Sequence, residues 1–310
     1  MKMYFVGCDD CKRVHEWHVP GDITQGAMIS ANFLKKRKKK EFNAKECPWV
    51  LDSGAFSQIN DPKNMGDFEM TPKQYVALAK RFEDNGNLQC IVSQDYMCEP
   101  SVIELLKEMG YRKPGVNWVR KHQWMTVERY VEVVEEAIKQ ELKVPVMPVL
   151  QGWEVEDYVE HSIMYSKLLS DMKYNRGCRL WKNPFLDKPH YGHTGELLNA
   201  DQWIGIGSTC KRNKNPEVLA DILNALWPTR LGAAQSLHHR IHAFGYKTTG
   251  LKSSSVKDRL FSADSFAFDF ADRYEGKLRD RISRAKSARR WGQEIIHNNV
   301  QMDMNLNKEE

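Results

Sequence analysis

Long apolar runs are missing from this sequence. None approaches the roughly 18 residues that a membrane-spanning helix needs, and a mean hydropathy of −0.61 describes a chain that favours water, with no membrane among its partners. The opening residues, MKMYFVGCDD, lack the apolar segment and small-residue cleavage site of a secretion signal, so the sequence predicts a cytoplasmic protein. A strong charge of either sign is absent too. With 46 Lys and Arg against 41 Asp and Glu, the net charge is only +5, which excludes a polyionic disordered chain. Cysteine is scarce: seven cannot all pair, and a reducing compartment keeps them as thiols, so no disulfide framework is expected. No GxGxxG fingerprint follows an early strand, which argues against a doubly wound, dinucleotide-binding sheet.

What is present is core material, 41% hydrophobic residues in 310, enough for one large domain or a domain with appendages. Short apolar runs alternate with amphipathic stretches. The runs at 4–7, 49–52, 90–95, 145–152, 203–208 and 241–245 read as strands, and the three-and-four spacing of apolar residues at 71–86, 126–142, 155–169 and 215–227 reads as helices. Strand, helix, strand repetition implies parallel pairing and an α/β fold, and about 250 residues of it suits a (β/α)8 TIM-like barrel. The positions of polar residues carry the argument further. Asp52 and Ser53, Gln94 and Asp95, Gln151 and Gly152, Gly205 to Ser208, and Asp264 all fall at strand ends. A barrel gathers its strand C-termini at one mouth, so these scattered residues are expected to share one pocket.

Two segments exceed a minimal barrel. Residues 171–202, rich in Gly, Asn, Pro and His, read as a lid or binding insertion. After 270 the chain becomes strongly basic and reads as a helix with a polar tail, so the sequence divides into a catalytic domain over 1–270 and an extension over 271–310. Arg281, Arg284, Lys286, Arg289 and Arg290, with Trp291 among them, are candidates for contact with nucleic acid. The basic run at 34–42 reads first as a solvated helix face, with a phosphate-binding surface as the alternative. Cys8, Cys11, His15 and His18 are zinc-binding types, but four ligands within eleven residues do not easily close a tetrahedron, so no metal is assigned. His242, opening a strand, reads as a packed or phosphate-facing residue.

The stretches DSGAFS (52–57), SQDYMCEP (93–100), VLQGWE (149–154), IGIGS (204–208), HAFGYKTTGL (242–251) and SADSFAF (262–268) run in one order across residues 45–270. Together they resemble the tRNA-guanine transglycosylase superfamily, and most closely its DNA-modifying branch, the DpdA-type DNA 7-deazaguanine transglycosylases. The resemblance implies exchange of guanine in DNA for a free 7-deazaguanine base such as preQ0, as a protection against nucleases, with no cofactor. It implies Asp264 as a nucleophile that holds the sugar as a glycosyl ester, and Asp52 as the acid/base. It implies that Asp95 and Gln151, with Ser53, read the base edge, and that Gly205 and Gly207 let backbone approach the base. The tRNA enzymes carry a Cys-rich zinc site after the nucleophile; here the last cysteine is Cys210. The alternatives are a tRNA-modifying enzyme and a non-catalytic nucleic-acid-binding barrel. In the second, Asp52 and Asp264 are plain helix caps, Asp95 a loop acid, and Gln151, Gly205 and Gly207 ordinary turn or packing residues.

Overall fold

The computed structural model describes residues 1–8, 14–16, 18–39, 41–171, 202–226, 239–247, 249–265, 287, 288, 290, 291 and 293. Nine strands are described: β1 (Met3–Cys8), β2 (Thr24–Ser30), β3 (Pro48–Asp52), β4 (Asn87–Val92), β5 (Val146–Met147), β6 (Val149–Leu150), β7 (Gln202–Ile206), β8 (His239–Ala243) and β9 (Ser262–Ser265). Along them the apolar side chains divide into two sets at a period of two, as a pleated strand requires. Phe5, Met28, Val50, Cys90, Val92, Met147, Val149 and Trp203 pack on one another, with Met3, Phe244 and Phe261. Their neighbours Tyr4, Ile29, Leu51, Ile91, Leu150 and Ile204 pack with helix residues such as Val76, Val134 and Leu223. The first set fills a lumen and the second faces an outer ring of helices.

All the ladders are parallel, in the order β5-β4-β3-β2-β1-β9-β8-β7-β6. The two end strands are consecutive in sequence, separated only by Pro148. Proline has no N–H to give the ladder, so β5 pairs with β4 while β6 pairs with β7. The Met147 carbonyl accepts from Ser93 N and the Pro148 carbonyl from Gly205 N, one on each side. β5 and β6 are thus two halves of one strand, and the ring is a nearly closed (β/α)8 TIM-like barrel.

The helices form where the sequence provides both a start and an apolar stripe. In α3 (Pro72–Phe82), Thr71 and Gln74 make a reciprocal capping box, Pro72 occupies the first turn, and Tyr75, Val76, Ala79 and Phe82 are buried. After α4 (Pro100–Glu108), Asn117 caps α5 (Trp118–Lys139) by accepting from Arg120 N. α6 (Val155–Asp171) and α7 (Pro216–Leu226) continue the ring, each packed on the one before. β2 is the strand the sequence reading misses: TQGAMIS lacks a β-branched run, and its Gly26 is needed because a Cβ there would meet the Pro48 carbonyl oxygen at 2.3 Å. The basic run departs from the expected helix face. α1 (Ala31–Leu34) stops where the run begins, and the carbonyls of Arg37 and Lys38 are held by Arg81 on α3.

Among the described residues no helix is long and apolar enough to cross a membrane. His15 Nδ1 contacts the Asn43 carbonyl, whereas Cys11 and the Cys8 side chain lie outside the described residues. So do most of 171–202 and of 271–310; α6 ends at Asp171, β7 begins at Gln202, and residues 287, 288, 290, 291 and 293 are helical.

Candidate active site

Strand parity decides what faces the mouth of the barrel. Asp52 follows Val50 by two, Gln151 follows Val149, and Gly205 and Gly207 follow Trp203, so all continue lumen-facing rows past the last apolar layer. Asp264 is registered beside Phe5, and Ser30 beside Asp52. The result is a cavity of about 350 Å³ whose wall includes Asp52, Asp95, Gln151, Gly207 and Asp264. That volume lies at the small end of ligand pockets, roughly 300 to 1,000 Å³.

Asp264 is 5% exposed and is held by two donors on one oxygen. Gly245 N donates to Oδ1 at 2.8 Å, and His242 Nε2 lies 3.1 Å from the same atom. With Oδ1 as the acceptor, this contact puts an imidazole proton on Nε2. Nδ1 then accepts from Ser262 Oγ at 2.8 Å. Both described bonds fall on Oδ1, which leaves Oδ2 for the cavity. Gly245 can aim its N–H there because it has φ 64°, and a Cβ would press on Cys210 Cβ at 2.8 Å.

Asp52 sits opposite in charge logic. Its carboxyl is pushed up to about 7, first by burial and then by the Asp264 charge; Gly54 N and Ser30 pull it down only partly. Gly54 N donates to Oδ2 at 3.0 Å, and Gly54 itself is the N-cap residue of α2 (Ala55–Ile59), so Asp52 is not that helix's cap. Gly54 has φ 78°, and a Cβ would meet Asn32 Nδ2 at 2.6 Å. The loop after β3 therefore needs glycine to turn its N–H back on Asp52.

Asp95 and Gln151 meet in the wall. Gln151 Nε2 donates to Asp95 Oδ2, Gln151 Oε1 accepts from Ser208 Oγ at 2.7 Å, and Ser53 Oγ makes a longer contact of 3.5 Å to Asp95 Oδ1. Burial is the main reason that Asp95 is also pushed up to about 7; the Gln151 bond opposes it, and the Asp52 and Glu99 charges add to it. The Gln151 backbone is fixed from behind, its N–H donating to His161 Nδ1 at 2.8 Å and its carbonyl accepting from Gln123 Nε2 at 2.8 Å. Gln94 turns away to donate to the Met70 carbonyl. Of the two glycines, Gly207 lines the cavity and leaves room for the Gln151 amide, since a Cβ would fall 2.2 Å from Nε2. Gly205 lies lower, where a Cβ would meet Phe244 at 2.4 Å. Ser53 is fully buried behind the wall.

Several residues that sequence reasoning did not single out join this wall. Glu99 is a fourth acid on the cavity, 5% exposed, its carboxyl raised by burial. Phe56, 67% exposed, and Phe244 bring aromatic surface to the rim and wall. Glu99 and Phe244 lie inside stretches already picked out by order along the chain, but nothing in a one-dimensional pattern marks them as facing inward; His242, read as packed or phosphate-facing, is fully buried and bonded to Asp264. Of the basic candidates, Arg290 is exposed and helical, while Arg281, Arg284, Lys286 and Arg289 lie outside the described residues. Two of the four acids in the cavity are thus held differently, Asp264 by a histidine and a backbone amide on one oxygen and Asp52 pushed up to about 7 by burial, an arrangement that can support nucleophilic and proton-transfer chemistry.

Comparison with known proteins gives one family. The model described as DpdA: DeoxyPurine in DNA protein A matches residues 23–174, a span that includes Asp52, Asp95, Glu99 and Gln151 and ends before Asp264. No curated protein matches the chain.

Proposed function

Over residues 23–174 the chain is a DpdA-family protein, and from that premise we propose that it exchanges guanine in DNA for a 7-deazaguanine base such as preQ0. Asp264 attacks the sugar C1′ as the bond from C1′ to the guanine nitrogen breaks, and Asp52 gives the departing base its proton. The incoming base returns a proton to Asp52 and attacks C1′, and the ester to Asp264 breaks. One glycosidic bond is lost and one is made, so no oxidant, reductant or cofactor enters. The carboxylate also stabilises the oxocarbenium-like charge that develops at C1′.

The observation that carries this reading is the unequal treatment of the two acids. Asp264 receives a histidine and a backbone N–H on one oxygen. Asp52, raised to about 7, holds a proton it can both release and take back near neutral pH. Asp95 and Gln151 read the base edge, and Phe56 and Phe244 offer flat apolar surface to a planar ring. The deoxypurine of the family description supports DNA as the polymer. The nucleotide must leave the stack to reach this cavity, at a cost of a few kcal/mol. Arg281, Arg284, Lys286, Arg289 and Arg290 offset that through phosphate contacts.

Incubation with a guanine-containing DNA oligonucleotide, followed by denaturation and mass measurement, should show a protein–DNA adduct in the wild type and none in Asp264→Asn. An adduct that survives the substitution moves the nucleophile elsewhere. Labelled preQ0 entering tRNA but not DNA would overturn the choice of polymer.

A further inference from the structure

The amide of Gln151 has the same shape in its two orientations, so its neighbours decide whether it shows the cavity a donor or an acceptor. The geometry points to Ser208 as the residue that sets this polarity. By giving its hydroxyl proton to Gln151 Oε1, it turns the amide N–H groups toward Asp95 and the cavity, and so selects purines with a carbonyl at C6 over purines with an amine there. The inference rests on the base-exchange reading of the same cavity and adds a specificity residue to it.

Three features of the structure carry it. The first is the chain of contacts: Ser208 Oγ lies 2.7 Å from Gln151 Oε1, and Gln151 Nε2 in turn donates to Asp95 Oδ2. Asp95 alone cannot settle the orientation. A carboxyl held near 7 exists as acid and as carboxylate at neutral pH, and it can face either end of an amide.

The second is what stands behind Ser208. Glu99 is its other hydrogen-bonding neighbour, its carboxyl raised above the ordinary value by burial, and the contact that Ser208 makes at 2.7 Å is to Gln151 Oε1. The two donors then point the same way, from Ser208 to Gln151 to Asp95. Reversing the amide would break that order at Gln151, in a site only 5% exposed.

The third is the backbone. Ser208 has φ 56°, a left-handed conformation that a residue with a Cβ adopts at a cost and glycine adopts freely. It is clamped there, with Tyr158 Oη donating to the Gly207 carbonyl at 2.9 Å and Thr209 Oγ1 to the Phe244 carbonyl. What serine supplies in exchange for the strain is its hydroxyl.

Calorimetry on the full chain with free guanine and free 2,6-diaminopurine tests this, since the two bases differ only in the C6 substituent and the N1 proton. Wild type should prefer guanine. Ser208→Gly, which suits the backbone and removes only the hydroxymethyl group, should reduce that preference at least tenfold, about 1.4 kcal/mol, chiefly by gaining affinity for diaminopurine. Ser208→Ala, which keeps the Cβ, should do the same. If both variants weaken the two bases equally and keep the wild-type ratio, Ser208 is only structural and the inference is overturned, although the base-exchange reading stands. A wild type that binds neither purine overturns that reading and this inference with it.

Discussion

Replacing Asp52 with Asn should flatten the dependence of stability on pH. In the folded chain Asp52 keeps its proton to about 7, against an ordinary value of 3.8. Between those limits the unfolded chain binds fewer protons than the folded one, so stability falls as pH rises through the window and is level outside it. At about 1.4 kcal/mol per unit, the ionisation penalty is about 1.6 kcal/mol at pH 5 and about 4 kcal/mol at pH 8, so Asp52 removes between about 2 and 3 kcal/mol across that interval. Asn preserves the volume and can still accept from Gly54 N, but it has no proton to lose. Urea unfolding at several pH values from 5 to 8 should therefore show a wild-type curve steeper than that of Asp52→Asn by this amount. Asp95, shifted in the same direction, is present in both proteins, and loss of the Asp52 charge lowers it too, which adds to the flattening. Asp264→Asn provides a second reading: removing the charge that helps raise Asp52 should make the wild-type slope shallower. Parallel curves for wild type and Asp52→Asn would refute the argument, because they would mean that Asp52 titrates alike folded and unfolded and is no reservoir of a proton near neutral pH.

Asp95→Ala should weaken the binding of free 7-deazaguanine by roughly 1.5 to 3 kcal/mol, the worth of hydrogen bonds to a charged group, while DNA affinity changes little; calorimetry with each ligand checks the separation. His242→Gln should slow adduct formation about 10- to 100-fold through loss of the same order of interaction at Asp264, with base binding intact, and single-turnover kinetics would expose a chemical step that is unaffected. Gly207→Ala would place a Cβ 2.2 Å from Gln151 Nε2 and should displace the amide, so base binding should drop more than thermal stability does. Reversing the charges of Arg281, Arg284, Lys286, Arg289 and Arg290 should weaken DNA binding equally for all sequences and lessen its salt dependence; an unchanged slope of affinity against salt would remove these residues from the interface.

The barrel was legible in the sequence because its signal is local and repeated. Apolar runs such as WVLD and PVMPVLQG and the capped stripes of α3 and α5 each announce themselves within a few residues, and their alternation forces parallel strands. The same logic located Asp52, Asp95, Gln151 and Asp264 at the mouth, since a strand's end is readable even when its partner is unknown. β2 was not legible, because TQGAMIS is a strand only through its position between β1 and β3. The interruption at Pro148 was visible as a residue. That it divides one strand between two neighbours depends on where those neighbours lie.

Partnership belongs to the tertiary structure alone. Nothing in the spacing of His242 and Asp264 says that the first holds the second at 3.1 Å, or that Ser208, 57 positions after Gln151, orients its amide. Nor can composition separate two aspartates of the same intrinsic acidity. Burial in a shared cavity and the charge of Asp264 raise Asp52, whereas Asp264 is tied by two donors on one oxygen. Sequence fixes the order in which strands are laid and which residues end them; only closure of the ring brings those ends within hydrogen-bonding distance, and at that distance the chemistry of each residue is decided by its neighbours.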